Sequence, residues 1–488
     1  MKYFGSIDQG TTSSRFIVFN EKGNIVSHHQ EELNQHIPNV VSVEHDPTEI
    51  WDSVKKCILK VDREFSITQL DSIGITNQRE TTLAWKKSTG EPLYNAIVWQ
   101  DTRTQNICDE LKQIDKLTDQ FSKTGLPIAT YFSVSKILWL LRNIEDVQKA
   151  KSNNDLCFGT IDSWLLYKLT GKHVTDVTNA SRTLLMDLNS LEWIDDILET
   201  LSIPKASLPS IKPSMFNYGT NDKILKNIPI TAVLGDQQAS LFGQNCINPG
   251  DVKNTYGTGC FALTNTGKNI VHSNNGLLST IAYQREGSSP QYALEGSVSI
   301  AGAAVQWLRD NLNLINESKD VEALALSVKD NGDVYFVPAF SGLFSPHWDE
   351  TARGVLVGLS RYSNKSHIAR AVLESVAFQS YELLDSMEKD IGIKFDFVNV
   401  DGGMVNNSLL MQFQSDIFDK KVISQKINEI TALGVGAASY LFINDLPFEN
   451  MENFISQSKT WNPNIEPNQR KNYLIKWSKA ISKARQWT

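Results

Sequence analysis

The 488-residue sequence has few cysteines, no long apolar run and no excess of basic residues, and each shortage excludes a class of protein. The five cysteines are scattered without a CxxC pair, so no zinc site is predicted, and the odd number suits a reducing compartment. No stretch approaches the ~20 apolar residues of a membrane span or forms a signal-peptide core. The formal net charge of −8 argues against a broad nucleic-acid surface. We therefore expect a cytoplasmic protein with no membrane span and no nucleic-acid partner.

Two common nucleotide-binding signatures are also missing. The sequence has neither the GxxxxGKS/T pattern of a P-loop nor the His-Arg-Asp and Asp-Phe-Gly motifs of protein kinases. The segment 257–262 does match G-x-G-x-x-A, but a dinucleotide fingerprint opens a helix, and the residues after Cys260 have the pattern of a strand. A hairpin that surrounds a ligand is the better interpretation of this segment.

A strand–turn–strand pattern occurs twice, about half a chain apart. Strands are predicted at residues 3–7 and 15–20 around a hydroxyl-rich turn, and again at 251–256 and 260–264 around Gly-Thr-Gly. A chain of this length usually forms roughly two to four domains. Strands mixed with helices indicate an α/β class. We predict two α/β lobes, residues 1–246 and 247–488, joined near the turn Asn248-Pro249-Gly250.

Helices are predicted between and after these strands. One follows the segment Asp46-Pro47-Thr48-Glu49, which supplies a capping residue and a proline at the helix start, and another, strongly apolar, covers residues 135–141. Residues 104–205 as a whole have a mainly helical pattern. A helix is expected from about Ser408, and the polar, basic stretch from about 460 is predicted to form a surface helix.

The first turn has the chemistry of a phosphate site. Asp8 ends a strand, where a carboxylate can hold a hydrated divalent ion. Gly10 allows close approach of the backbone, and small hydroxyl residues with free N–H groups can hold phosphate oxygens. Taken alone, the segment is equally compatible with an ordinary hairpin that has a polar tip.

Three further turns carry candidate chemistry. Arg79 and Glu80 follow a buried strand and could bind the hydroxyls of a polyol, although a surface ion pair is the alternative. Asp236 follows an apolar strand and starts a helix, so it could act as a base in a cleft, as a helix cap, or as both. The twin glycines 402–403 permit close approach of adenine or phosphate before a helix, although a plain strand-to-helix turn has the same pattern.

Together these segments resemble the FGGY carbohydrate kinase family. The matching stretches include IDQGTTSSR (7–15), GITNQRETT (74–82), TNASRT (178–183), GDQQASLFGQ (235–244), KNTYGTGCF (253–261), YALEG (292–296), AGAAVQWLRD (301–310), DGG (401–403) and MQFQSDI (411–417). The resemblance runs from about residue 3 to 480. It implies an α/β protein of two actin-like ATPase (ribonuclease H-like) lobes, with the active site in the cleft between them. It also implies a cytoplasmic homodimer or homotetramer that transfers the γ-phosphoryl group of Mg-ATP to glycerol, giving sn-glycerol 3-phosphate.

The resemblance implies a role for each matching residue. Asp236 is expected to be the general base, and Asp8 to hold Mg²⁺. The implied glycerol pocket consists of Arg79, Glu80, Trp99, Tyr131, Asp236, Gln237 and Phe261. The residues implied to contact ATP are Thr11, Thr12, Ser13, Arg15, Thr258, Gly302, Gln306, Gly403 and Asn407.

The sequence departs from the family pattern at two control elements. Residues 218–227 contain no arginine where some members bind fructose 1,6-bisphosphate, and residues 214–218 contain no histidine where other members are phosphorylated. Neither control is therefore expected. The alternatives that stay open are a kinase for another small polyol or dihydroxyacetone, and a catalytically dead sensor.

Overall fold

The computed structural model describes residues 2–340, 342–343 and 345–487; the outer ends of the two predicted lobes, Met1 and Thr488, lie outside them. The strands of the first half are β1 (Tyr3–Gln9), β2 (Ser13–Asn20), β3 (Ile25–Glu32), β4 (His36–Asn39), β5 (Ser42–His45), β6 (Leu70–Asn77), β7 (Thr82–Lys86), β8 (Ala96–Ile97), β9 (Leu156–Thr160), β10 (Val174–Asp176), β11 (Ser210–Lys212), β12 (Met215–Gly219) and β13 (Ile230–Gly235). Its helices are α1 (Pro47–Glu64), α2 (Gln105–Lys112), α3 (Thr118–Ser122), α4 (Ser133–Asn143), α5 (Glu145–Ser152), α6 (Ile161–Thr170), α7 (Val177–Ala180), α8 (Asp195–Thr200) and α9 (Asp236–Gly243).

The central sheet of the first half has six strands in the order β12-β13-β6-β1-β2-β3. Strands β1, β2 and β3 form an antiparallel meander, and β6 and β13 run parallel to β1. Helix α1 starts at the predicted proline, and the Asp46 carboxylate accepts the Thr48 N–H at 2.7 Å. Its apolar side chains pack on the sheet with Ile7, Phe16 and Val18. The parallel strands β1, β6 and β13 end at one edge, which places Gln9, Asn77 and Gly235 side by side, one residue after Asp8.

The second half repeats this arrangement. Its strands are β14 (Val252–Tyr256), β15 (Cys260–Gly267), β16 (Leu278–Tyr283), β17 (Gln291–Val298), β18 (Tyr335–Val337), β19 (Val355–Val357), β20 (Phe397–Asp401), β21 (Lys421–Gln425) and β22 (Gln457–Trp461). Its helices are α10 (Gly302–Asp310), α11 (Asp320–Leu326), α12 (Lys365–Ile391), α13 (Ser408–Phe418), α14 (Ile430–Ile443) and α15 (Pro467–Ala484). The seven-stranded sheet has the order β16-β17-β15-β14-β20-β21-β22, in which β14, β15 and β17 are antiparallel and β20 and β21 run parallel to β14.

The two halves interlock through helices α9 and α14. Helix α14 comes from the second half of the chain but shares an apolar core with Phe4 and Leu234 of the first sheet. A Cβ on Gly434 would lie 2.0 Å from the Ala239 carbonyl oxygen, so only glycine permits the close approach of α14 to α9. The base of the cleft is therefore a packed joint made by both halves.

Two helical predictions are confirmed, and the structure adds a detail to each. The segment 104–205, predicted to be mainly helical, also contains strands β9 and β10, because short apolar runs do not distinguish a strand from a buried helix turn. The predicted surface helix near the C-terminus exists as α15, but Trp477 and Ile481 are buried in the core of the second lobe. Among the described residues, no helix is both long enough and apolar enough to cross a membrane.

Candidate active site

Asp8 lies at the end of β1, directly opposite Arg15 on β2. Its Oδ2 atom is 3.6 Å from Arg15 Nη1, and the same Nη1 is 2.6 Å from Glu429 Oε2 at the start of α14. Burial raises the pKa of Asp8 to about 6; Arg15 opposes this shift, whereas Glu429 and Asp236 add to it. Asp8 is thus a carboxylate whose negative charge is incompletely balanced, and Arg15 is already paired with an acid.

The hydroxyl residues of the first turn lie between Asp8 and an aromatic wall. The Gly10 N–H donates to the Ser13 carbonyl at 2.9 Å, which closes the turn. Ser13 is buried, Thr11 is half-buried and Thr12 is exposed. The indole N–H of Trp99 donates to Thr11 Oγ1 at 3.1 Å and so connects the turn to the predicted polyol pocket.

A buried cluster of two arginines and two glutamates lies beneath the cleft. Arg79 donates to Glu295 on β17 through Nη1 and Nη2, at 2.5 and 2.9 Å. Arg182 donates to Glu80 at 2.6 Å and to Glu295 at 3.0 Å. Burial alone would raise the pKa of Glu295, but the guanidiniums of Arg182 and Arg79 lower it to about 2. The alternating charges fix Arg79 and Glu80 and join the first half of the chain to a strand of the second.

Asp236 is the first residue of α9, after the glycine that ends β13. Its Oδ1 atom accepts the Gln237 backbone N–H at 2.7 Å and lies 3.1 Å from Arg79 Nε. No donor among the described residues is hydrogen-bonded to Oδ2, and 35% of the side-chain surface is open to the cleft. Burial raises the pKa of Asp236, although Arg79 opposes the shift. One carboxylate oxygen is anchored and the other remains available.

Two of the three predicted aromatic residues, Trp99 and Tyr131, meet near the buried arginines. The rings of Trp99 and Tyr131 meet edge to face, with centroids 5.6 Å apart. The Arg182 guanidinium lies 5.8 Å from the centre of the Tyr131 ring. Phe261 lies on β15, and its carbonyl oxygen accepts from Lys253 Nζ at 3.2 Å; the same ammonium donates to Gln237 Oε1. Lys253 therefore connects Gln237 of the first half with Phe261 of the second.

The residues predicted to contact ATP from the second half gather around the turn 257–259. The Ala301 and Ala303 N–H groups donate to the Thr258 carbonyl, and the Gly302 N–H donates to the Gly257 carbonyl at 3.0 Å. Gln306 lies one turn further along α10 and is exposed. The structure therefore brings Thr258, Gly302 and Gln306 together at the start of α10.

The twin-glycine turn lies against the same hairpin. A Cβ on Gly402, whose φ is +93°, would lie 2.3 Å from the Tyr256 carbonyl oxygen, whereas one on Gly403 would meet nothing within 4 Å. Gly403 therefore borders open space. The Asn407 side-chain oxygen accepts the Leu410 N–H at 2.9 Å and caps α13, which leaves its NH₂ group for a ligand.

Three residues of the site received no role from the sequence, namely Arg182, Glu295 and Lys253. Each lies in a stretch that matches the family, but no local pattern indicated what it does. The available signal was a charged residue directly after an apolar one inside a strand, as in Leu294-Glu295 of β17 or Val252-Lys253 of β14. A buried charge in a strand requires a partner from another element.

The site could accept a divalent cation only with help from a ligand. Among the described residues, no group of three or more His, Cys, Asp and Glu side chains is arranged to hold a metal. Asp8 accepts no hydrogen bond from any described residue, and its carboxylate carries a charge that a cation would balance. A single carboxylate beside phosphate oxygens and water suits Mg²⁺, which commonly keeps several waters.

Two similar sheets, each starting with a hairpin, give the chain the two-lobed architecture of the actin-like ATPases. Models of the FGGY family of carbohydrate kinases match this sequence, the N-terminal domain at residues 3–243 and the C-terminal domain at 252–439. The chain belongs to the FGGY family of carbohydrate kinases.

Relatives of known name match over the whole length. The glycerol kinase of Brucella anthropi is 50% identical over 100% of this chain and 99% of its own length. The glycerol kinase of Renibacterium salmoninarum is 49% identical over 100% of this chain and 98% of its own length. Among solved structures, Plasmodium falciparum glycerol kinase with ADP superposes with a TM-score of 0.93 at 37% identity, covering 99% of this chain and 98% of that one.

Proposed function

We propose that this enzyme transfers the γ-phosphoryl group of ATP to glycerol, giving sn-glycerol 3-phosphate. The arrangement around Asp236 carries the proposal, because it places a carboxylate with one unengaged oxygen beside Arg79 and Gln237 of the predicted polyol pocket. Full-length identity of about half to relatives named glycerol kinase supports it independently.

The polyol pocket in this proposal consists of Arg79, Glu80, Trp99, Tyr131, Asp236, Gln237 and Phe261. Arg79 donates to substrate hydroxyls and Glu80 accepts from them, and both are held in place by Arg182 and Glu295. Trp99 and Tyr131 supply an apolar wall for the carbon chain. Small polyols have little surface to bury, so fixed hydrogen-bonding groups must provide the selectivity.

Asp236 acts as the general base. The Arg79 guanidinium and the Gln237 N–H hold Oδ1, so Oδ2 can accept the proton of the attacking hydroxyl. Phosphoryl transfer passes through a loose transition state, which requires positioning more than early deprotonation. The anchored carboxylate meets that requirement, because it orients the hydroxyl before the proton moves.

ATP is held between the two hairpin turns in this proposal. Thr11, Thr12, Ser13 and Arg15 contact the phosphates from the first lobe, and Thr258 contacts them from the second. Gly302, Gln306, Gly403 and Asn407 contact the rest of the nucleotide. Contact between Arg15 and a phosphate would replace its present ion pair with Glu429.

Asp8 is the residue that would hold Mg²⁺, through water molecules. When bound, the ion neutralises charge on the phosphate oxygens. An Asp8→Asn variant is expected to need more Mg²⁺ for half-maximal rate, with glycerol affinity unchanged.

We also propose that residues 1–246 and 247–488 act as the two lobes, and that their closure excludes water from the cleft and limits ATP hydrolysis. A cytoplasmic location is consistent with five unpaired, buried cysteines. The predicted homodimer or homotetramer stays a prediction, which analytical ultracentrifugation would test.

A coupled assay of ADP release over glycerol, dihydroxyacetone, glyceraldehyde and xylulose tests the proposed function. We expect the highest kcat/KM with glycerol. A rival that exceeds glycerol by more than about tenfold, roughly 1.4 kcal/mol, would reassign the substrate. No polyol-dependent ADP release from pure protein would instead favour a sensor without catalysis.

A further inference from the structure

Lys253 is a buried lysine whose ammonium lies at the joint between the two halves. Along β14, Val252 and Tyr256 face the core of the second lobe, so the alternation of a strand turns Lys253 and Thr255 to the opposite face, toward α9. The residue has no exposed surface. No carboxylate among the described residues lies within ion-pair distance of it, although Asp401, Glu295 and Asp236 act on it from further away.

The three donors of this ammonium all meet neutral oxygens. Lys253 Nζ donates to Thr255 Oγ1 at 2.9 Å, to the Phe261 carbonyl at 3.2 Å and to the side-chain oxygen Oε1 of Gln237. Burial of an ammonium without a directly paired carboxylate is costly, and burial lowers the pKa of Lys253. If Lys253 served only to stabilise the fold, an apolar side chain of similar size would do so without the free-energy cost of burying a charge.

The contact with Gln237 determines which way its amide faces. An ammonium can only donate, so the amide atom beside it must be the oxygen. The Gln237 NH₂ group then points away from Lys253, and no described residue accepts a hydrogen bond from it. Gln237 follows Asp236 in the first turn of α9, and its backbone N–H already donates to the Asp236 carboxylate. The Gln237 NH₂ group, which can only donate a hydrogen bond, therefore faces the pocket next to the proposed base.

We propose that Lys253 is a positioning residue that fixes the Gln237 amide with its NH₂ group toward the substrate, so that the site selects a neutral substrate oxygen over an amino group at that position. The same ammonium also donates to the Phe261 carbonyl, but strand β15 is already held there by its pairing with β14 and β17. The inference rests on the proposed function, because it takes the pocket beside Asp236 as the place where the polyol binds.

A double-mutant cycle on the full-length enzyme tests the proposal. The variants are Lys253→Met, Gln237→Ala and the combination, and the polyol with the highest kcat/KM in the panel is used, whichever polyol that is. We expect Lys253→Met to raise the polyol KM about tenfold, with kcat within threefold and the ATP KM within twofold of wild type. The double variant should have a KM no more than twofold above that of Gln237→Ala. If the KM increases of the two single variants multiply in the double variant, Lys253 acts independently of Gln237 and the proposal is overturned.

The selectivity is measured with 3-amino-1,2-propanediol and 2-amino-1,3-propanediol, whose ammonium groups cannot accept a hydrogen bond. In Lys253→Met the freed amide can turn its oxygen toward an ammonium. The preference for the parent polyol over at least one amine should then fall fivefold or more. An unchanged preference over both amines refutes the selectivity.

A third variant keeps the test decisive if Lys253→Met does not fold. Gln237→Glu preserves an acceptor for Lys253 but has no donor for the substrate, so we expect a raised polyol KM at a near-native melting temperature. A wild-type KM in this variant contradicts the proposed orientation.

The matched control for Lys253→Met is Lys172→Met, because Lys172 also donates to a backbone carbonyl, that of Tyr218, but lies outside the cleft. Absence of glycerol phosphorylation by the wild-type enzyme contradicts the proposed substrate and not the role of Lys253.

Discussion

Replacement of Asp236 by asparagine separates the base from the pocket that surrounds it. The Asp236 Oδ1 atom accepts the Gln237 N–H and lies near Arg79 Nε, and an asparagine oxygen can take both contacts. Arg79 keeps its bidentate pair with Glu295, so the guanidinium does not lose its main partner. The substituted NH₂ group occupies the place of Oδ2, where it cannot accept a proton.

From this geometry we expect Asp236→Asn to lower kcat by about 10²- to 10⁴-fold, which is the usual contribution of a positioned general base. A 10²-fold loss corresponds to about 2.7 kcal/mol of transition-state stabilisation. The glycerol Kd should stay within about threefold of wild type, because the anchoring contacts persist. Rates come from a coupled ADP assay and affinity from titration calorimetry.

Asp162→Asn is the matched control for this experiment. Asp162 is fully buried, and Thr160 and Thr175 each donate a hydroxyl hydrogen to it, at 2.5 and 2.6 Å. A hydroxyl can rotate to accept from an amide, so asparagine fits the site, and kcat should not change. The reasoning about Asp236 is refuted if Asp236→Asn keeps kcat within about threefold of wild type.

Three further predictions concern buried ionisable side chains. Arg79→Lys should raise the glycerol KM at least tenfold, because a lysine cannot keep the bidentate contact with Glu295 while it reaches Asp236. An unchanged KM would show that Arg79 does not bind the substrate. Glu295→Gln should lower the free energy of unfolding by about 3 kcal/mol, because two buried guanidiniums lose their shared carboxylate; calorimetry would measure it, and an unchanged melting temperature would contradict the role. Burial lowers the pKa of His45 from 6.5 to about 4. As the pH falls, the unfolded chain therefore binds the proton before the folded protein does. The stability that neutral His45 contributes is complete above pH 6.5 and is lost between pH 6.5 and 4. At pH 5 that loss is about 2 kcal/mol, and His45→Gln should show a smaller decrease in melting temperature between pH 7 and 5; parallel decreases would contradict the assignment.

The α/β class and the two hairpins were predicted from local signals that the structure confirms, whereas the actin-like lobes were predicted from the family resemblance. The hairpins around Asp8 and around residues 257–259 stand out because small polar residues interrupt apolar strands, and that pattern depends on neighbours in the chain. Helix α1 starts where Asp46 and Pro47 predicted. The segment 104–205 was less well predicted, since three to five apolar residues such as those of β9 fit either a strand or a helix turn.

The order of elements, the two hairpins and the family resemblance were determined by the sequence alone, because each depends on residues that are close along the chain. Tertiary structure decided how the site is held together. Glu295 meets Arg79 from 216 positions away and Arg182 from 113, and α14 returns from the second half to pack on the first sheet. Lys253 likewise meets Gln237 only because β14 and α9 lie side by side. A buried charge is stable only beside partners that folding brings to it, so its role depends on contacts that no local pattern records.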